Sequence, residues 1–165
     1  MASVLKIFTL LIILNASSCV KEDNLKQNGT NTMTALVGSK HFEKGACWGC
    51  IAGGSALIVL YNDTIFRVTA EDGEQNLIMK LEIPSLKTPG LYSLSSQDKN
   101  YAIIEEFKPY TRFSTSNTNT GRINITKLDR QRQIISGTFE FSAVDEKNSA
   151  HTVSVTAGNF DVTYK

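Results

Sequence analysis

The chain has 165 residues, with 17 basic and 16 acidic side chains and a formal net charge of +1. This balance of charge gives no indication of the strongly basic surface that proteins use to bind nucleic acids. The length fits one domain, and with only two histidines and three cysteines we expect neither a metal site nor a cofactor.

The first 18 residues have the pattern of a secretory signal peptide. Lys6 gives a positive start, residues 7–14 are mostly apolar, and the small residues 16–18 lead directly into Cys19. The apolar stretch is shorter than a membrane-spanning helix requires. Small residues before a cysteine resemble the lipobox of bacterial lipoproteins. This resemblance implies cleavage before Cys19 and attachment of fatty acyl chains to it, and two or more acyl chains anchor a protein firmly in a membrane.

The residues after the cysteine bear on the location of the protein. Lys21, Glu22 and Asp23 resemble the export signal that places Bacteroidota lipoproteins on the outer face of the outer membrane. We therefore expect a lipid-anchored protein at the cell surface. The alternative is that these residues are part of a solvated tether and that the protein stays on the periplasmic face.

Residues 19–32 are expected to be a flexible tether. They are rich in Lys, Asn, Gln, Gly and Thr and contain few apolar side chains, so they cannot bury enough surface to offset the loss of chain entropy on ordering. The folded domain is accordingly predicted to cover residues 33–165.

Cys47 and Cys50 form the one short motif with chemical potential, Cys-Trp-Gly-Cys. A redox-active pair at this spacing usually opens a helix in a βαβ unit, whereas here residues 51–55 are Ile, Ala, Gly, Gly and Ser and resemble a loop. A zinc site would need two further ligands. We interpret the pair as a structural disulfide, with free thiols, a redox pair and metal binding as the alternatives.

Alternating apolar and polar residues predict half-buried strands at 33–37, 66–70 and 77–83. Residues 56–61 are mostly apolar, which predicts a strand covered on both faces, and residues 62–63 then form a turn. Further strands are predicted at residues 91–94, 101–107, 122–128, 133–143, 151–156 and 159–164. Since short strands joined by polar turns follow one another without helical periodicity, the prediction is an all-β domain, an antiparallel β-sandwich or barrel-like sheet.

The candidate catalytic groups are scattered. His41 and His151 are far apart in the chain and have no cysteine or carboxylate cluster beside them, so we expect both to be solvated. Glu105 and Glu106 are neighbours on a predicted strand and must point to opposite faces, which prevents them from acting as a carboxylate pair. No nucleophile elbow, P-loop or zinc-protease motif is present. The sequence thus favours a protein that is not an enzyme.

Three aromatic residues lie in or beside predicted loops: Trp48, Tyr110 and Phe113. Aromatic faces on the loops of β-sandwiches stack on sugars in many carbohydrate-binding modules. The alternative, which we favour, is that Tyr110 and Phe113 anchor their loop to the core.

The last third of the domain resembles a known family. Residues 121–126, 136–143, 153–156 and 158–162 occur in an order similar to that of an uncharacterised family of small all-β Bacteroidota lipoproteins, classed as a domain of unknown function. The resemblance extends over about residues 33–164. It implies no catalytic residues, because the family has none established.

These observations predict a non-enzymatic binding or envelope-associated module, held to the membrane by the lipid on Cys19 and recognising a protein or glycan ligand. The ligand itself is not predicted. The alternative from another class is an envelope thiol oxidoreductase using Cys47 and Cys50, and a hydrolase assembled from residues distant in sequence is a third hypothesis.

Overall fold

The structure is a computed structural model that describes residues 27–45, 47 and 55–165. These residues contain eleven strands and no helix, and hence no helix that could cross a membrane. The strands are β1 (Thr32–Val37), β2 (Lys40–Glu43), β3 (Leu57–Tyr61), β4 (Ile65–Asp72), β5 (Leu77–Pro84), β6 (Gly90–Leu94), β7 (Tyr101–Phe107), β8 (Tyr110–Ser114), β9 (Gly121–Asp129), β10 (Ile134–Asp145) and β11 (Asn148–Thr163).

The strands form one antiparallel sheet that curls into a half-barrel. Its order is β2-β1-β11-β10-β8-β7-β5-β4-β3, and β9 with β6 branches off β10. The branch arises because β10 is long: one edge pairs with β11, while the other pairs first with β9 and then, at its end, with β8. The predicted all-β fold with an antiparallel barrel-like sheet is confirmed.

The core lies on the inner face of the curled sheet. The alternating residues predicted to be apolar and inward-facing on β1, β4 and β5 are all buried. Phe66 of β4 lies 5.9 Å from Phe160 of β11 between ring centroids, although these strands are not neighbours in the sheet. The two halves of the sheet therefore pack face to face, and each fully buried side chain of this kind contributes about 1.5–3 kcal/mol.

The carboxyl-terminal strand differs from the prediction. The sequence predicts two strands separated at residues 157–158, but β11 is continuous, and its register against β10 shifts between Phe139 and Phe141. Ala157 adopts a left-handed φ of 51° at this shift. A Cβ on Gly158 would approach the ring of Phe139 to 2.4 Å. The two residues thus form a β-bulge, which bends the strand without ending it.

Two short strands, β2 and β8, are absent from the prediction. In β2 only Phe42 is buried, and in β8 Arg112 interrupts the apolar pattern, so neither segment has a clear two-residue period. Both strands are formed by pairing with a stronger neighbour, β1 for β2 and β7 for β8. Tertiary pairing, rather than local propensity, determines these two elements.

Asp161 of β11 binds the segment before β1. Its side chain is buried, and Oδ2 accepts hydrogen bonds from the amides of Asn28 at 3.0 Å and Thr30 at 2.8 Å and from the Thr30 hydroxyl at 2.9 Å. Oδ1 accepts from the Gly29 amide at 3.0 Å and from the Ser136 hydroxyl at 2.7 Å. We call this arrangement the Asp161 clamp. It fixes residues 28–30 against the domain, so the hydrogen-bonded chain starts before residue 33.

The clamp stabilises the ionised carboxylate. Burial alone would raise the pKa of Asp161, but the hydrogen bonds from Thr30, Ser136 and Gly29 outweigh burial and lower the pKa below its ordinary value of 3.8. Because the folded pKa is the lower one, the contribution to stability is present at pH values above 3.8. It is lost as the pH falls through the folded pKa.

We predict that Asp161→Asn lowers the free energy of unfolding at pH 7 by about 1–3 kcal/mol. The carboxylate of Asp161 accepts hydrogen bonds from several donors, whereas the NH2 group of asparagine would face one of these donors without being able to accept from it. Urea unfolding at pH 7 and at progressively lower pH measures this. As the pH is lowered, the free energy of unfolding of the variant should also decline less than that of the native protein. Asp63→Asn is the matched control, since the Asp63 side chain is fully exposed. Equal stability of the two variants would contradict the clamp.

Candidate functional site

Strand β3 lies at one end of the sheet and pairs only with β4 among the strands of the described residues. Two hydrogen bonds at its ends show which residues of β3 occupy hydrogen-bonded positions in this pairing. The amide of Glu71 donates to the carbonyl of Ala56 at 2.8 Å, and the amide of Asn62 donates to the carbonyl of Ile65 at 3.0 Å. In an antiparallel pair, hydrogen-bonded and non-hydrogen-bonded positions alternate.

This alternation determines which main-chain groups of β3 face away from β4. Ile58 and Leu60 alternate with Leu57, Val59 and Tyr61 and occupy hydrogen-bonded positions, as Ala56 and Asn62 do. Their N–H and C=O groups therefore point toward β4. Leu57, Val59 and Tyr61 direct theirs toward the other edge, where no described strand pairs with them. We call this line of main-chain groups the β3 edge.

The side chains beside the β3 edge are apolar and exposed. Ile58 is 63% and Leu60 41% exposed. The prediction that residues 56–61 are covered on both faces is therefore wrong. A continuous apolar run does not distinguish a strand buried on both faces from an end strand with an apolar outer face, and this is why the surface was missed.

The β3 edge is held in place at its carboxyl end by Tyr61. The Tyr61 hydroxyl donates to the carbonyl of Leu86 at 3.2 Å and accepts from the guanidinium of Arg130 at 3.3 Å. Its ring meets that of Tyr164 edge to face, with centroids 4.7 Å apart. Burial in this cluster raises the pKa of Tyr164. An edge fixed in this way loses little conformational entropy when a second chain pairs with it.

Two other strands at ends of the sheet have a different character. β2 carries Lys40, His41 and Glu43 as exposed residues, and charged side chains of this kind oppose pairing with another chain. β6 exposes Leu91 together with the polar Ser93. Among these three end strands, β3 alone consists of large apolar and aromatic residues, and it is the candidate binding surface.

The predicted cysteine pair is described only in part. Sγ of Cys47 lies 3.2 Å from Oε2 of Glu71, while Cys50 and Trp48 lie outside the described residues. The prediction of a Cys47–Cys50 disulfide remains untested.

The predicted lipidation and export residues also lie outside the described residues. These are Cys19, Lys21, Glu22 and Asp23. Their roles, and the outer-membrane location that they indicate, stay predictions from the sequence.

The two histidines are on the surface, on different strands. His41 is exposed on β2, whereas the exposed His151 on β11 lies with Nδ1 3.3 Å from Oδ2 of Asp145 and its ring 4.9 Å from that of Phe113. Residues 27–45, 47 and 55–165 bring together no group of three His, Cys, Asp or Glu side chains that could hold a metal ion.

The adjacent glutamates of β7 have separate partners. Glu105 pairs with Arg112 at 2.6 Å, and Glu106 pairs with Lys40 at 3.4 Å. Since the structure places them in different ion pairs, they do not form the carboxylate pair of a glycosidase.

The loop aromatics separate into one core residue and one surface residue. Phe113 is buried on β8, in agreement with the favoured interpretation that it anchors this region. Tyr110 is 53% exposed at the start of β8, where its ring lies 5.9 Å from that of Phe107. Two exposed rings at a hairpin are a second, smaller apolar surface.

Comparison with known proteins identifies the family of this chain. No curated protein and no solved structure matches it. A family model described as "Domain of unknown function (DUF6252)" matches residues 54–162, about two thirds of the chain. This span begins just before β3 and ends within β11, so it includes the candidate binding surface. The expected membership of an uncharacterised family is thereby confirmed, and the chain belongs to the DUF6252 family of domains of unknown function.

Proposed function

We propose that this protein is a lipid-anchored, non-enzymatic module of the bacterial outer membrane that binds a protein through the β3 edge. The observation that carries the proposal is that Leu57, Val59 and Tyr61 direct main-chain groups toward an edge with no described partner strand, beside the exposed side chains of Ile58 and Leu60. An extended polypeptide adds to such an edge through main-chain hydrogen bonds, and the side chains beside it supply specificity. A glycan offers no such hydrogen-bonding ladder, and a protein ligand is therefore favoured.

The Asp161 clamp limits the distance between domain and membrane in this proposal. The acylated Cys19 lies nine positions before Asn28, the first residue that the clamp holds. A fully extended chain of this length spans at most about 30 Å. The module would thus work close to the bilayer, and Lys21, Glu22 and Asp23 support a position on the outer face.

The thiol oxidoreductase is the alternative function. Glu71 beside Cys47 argues against it, since attacking thiols in such enzymes are activated by positive charge or by a helix amino terminus. A structural disulfide between Cys47 and Cys50 agrees better with this environment, and it would stabilise the segment leading into β3.

We predict that Cys19→Ala abolishes labelling of the protein by a fatty-acid probe and prevents removal of the signal peptide, since the lipid is attached to that sulfur. Replacing Lys21, Glu22 and Asp23 together by Ala should preserve labelling but protect the protein from protease added to intact cells. Normal labelling of Cys19→Ala would refute the anchor. Unchanged digestion of the triple variant would show that the three residues are only tether.

We predict that Cys47→Ser combined with Cys50→Ser lowers the free energy of unfolding by about 1–3 kcal/mol, because a short disulfide loop restricts the unfolded chain. Urea unfolding measures the change. The native protein and the double variant should show the same background rate in disulfide reductase and oxidase assays. A clear difference in that rate would instead support the oxidoreductase.

We predict that a photo-reactive benzophenone side chain at Ile58 cross-links the protein to a partner in intact cells, whereas the same group at Leu91 does not. Both positions are highly exposed, but Leu91 lies on β6, away from the β3 edge. Combining Val59→Pro with the photo-reactive group at position 58 should reduce the cross-linking yield about tenfold, because proline removes one hydrogen-bond donor from the β3 edge.

Val59→Pro is informative because the Val59 amide is not part of the ladder to β4. A proline there is compatible with an edge strand, and circular dichroism should show an unfolding transition like that of the native protein. Equal cross-linking from positions 58 and 91 would contradict a specific binding role for the edge.

A further inference from the structure

We infer that the occupant of the β3 edge is a second copy of this chain, paired antiparallel through β3 about a two-fold axis at Val59. The inference rests on the proposed function, because it names the partner of the same surface. A two-fold contact uses one surface twice, so the surface must be complementary to itself. The β3 edge meets this requirement in both its main chain and its side chains.

The main-chain groups match in one register. If Val59 faces Val59 of the second copy, then Leu57 faces Tyr61 of that copy and the reverse pair follows by symmetry. All outward N–H and C=O groups of the three residues then lie opposite their complements. A shift by two residues would leave one of the three positions without a β3 partner. The amide of Leu57 now donates to Oγ of Ser55 at 3.2 Å, a local bond that pairing would replace.

The same register covers the exposed side chains. Ile58 would lie opposite Leu60 of the second copy, at a non-hydrogen-bonded position where Cα atoms approach to about 4.5 Å and side chains are in contact. Symmetry produces this pair twice. The two large apolar residues that β3 exposes would therefore cover each other. No charged residue occurs in β3, so no like charges would meet within the paired strands.

The size of the contact predicts a weak dimer that forms at the membrane. Two five-residue strands with two pairs of apolar side chains bury less than the roughly 1,200 Å² of a stable interface. Dissolved copies should accordingly associate weakly. Anchoring both copies in one membrane raises their effective concentration and favours the dimer.

Two double variants with similar side chains test the pairing. Ile58→Lys with Leu60→Lys places like charges opposite each other in the inferred register, and Ile58→Lys with Leu60→Glu places opposite charges there. Energy transfer between donor- and acceptor-labelled copies of the acylated protein in phosphatidylcholine vesicles measures association. We expect the first variant to raise the dissociation constant about tenfold or more. The second should remain within about threefold of the native protein.

Single cysteines then test the register. Ile58→Cys and Leu60→Cys, mixed on the same vesicles, should form a disulfide between copies faster than either variant alone, because position 58 faces position 60 across the axis. Non-reducing electrophoresis and mass spectrometry of the linked peptides identify the bond, and the native protein controls for its own cysteines. Equal rates in all samples would reject this register.

The outcomes separate the inference from the proposed function. Absence of energy transfer in the native protein, or equal weakening by the two double variants, overturns the dimer. If the photo-reactive group at position 58 then captures a different protein, binding through the β3 edge stands with another partner. If it captures nothing, both the dimer and the proposed binding function are wrong.

Discussion

The sharing of one edge of β10 between β9 and β8 is the constraint on which the rest of the structure depends. Because a strand has only two edges and β11 occupies the other one, the sheet must divide at β10 and curl. The curl brings Phe66 against Phe160 and encloses the core. It also leaves β3 at the far end of the longer branch, so the arrangement that forms the core is the one that exposes the β3 edge.

An open apolar edge is a hazard for a soluble protein, since it pairs with whatever strand it meets. The charged residues of β2 protect that strand, whereas β3 contains no charged residue and no other described strand pairs with its outer edge. Its position is nevertheless fixed by the Tyr61 contacts with Leu86 and Arg130. An edge that is rigid, apolar and unpaired among the described strands is understandable if a partner normally pairs with it, and self-pairing removes the hazard because each copy covers the other.

The sequence predicted elements whose side chains alternate and missed those defined by distant partners. Met79 and Leu81 show the two-residue period and are buried as expected. The identity of β3 as an end strand depends on the order of strands in the sheet, which no local pattern contains. The Asp161 clamp was equally hidden, because its partners Gly29 and Thr30 lie 132 and 131 positions away in the chain. From sequence alone, a polar residue on a strand is expected to be solvated, because the hydrogen-bond donors that surround it in the fold are not known.

The segment held by the Asp161 clamp and the β3 edge lie close to each other beside the last residues of β11. The Tyr61 ring contacts Tyr164, and Asn31 accepts a hydrogen bond from the Thr163 amide at 2.8 Å, so Asn31 lies near the Tyr61 end of β3. Earlier in the chain, the carbonyl of Gln27 accepts a hydrogen bond from Lys127 Nζ of β9 at 2.7 Å. In an antiparallel dimer the two Tyr61 ends lie about 15 Å apart, given about 3.4 Å per residue in β3. A two-fold axis normal to the bilayer would hold both copies at the same height, so the proposed lipid anchors on Cys19 of the two copies would enter one leaflet while their β3 strands are paired.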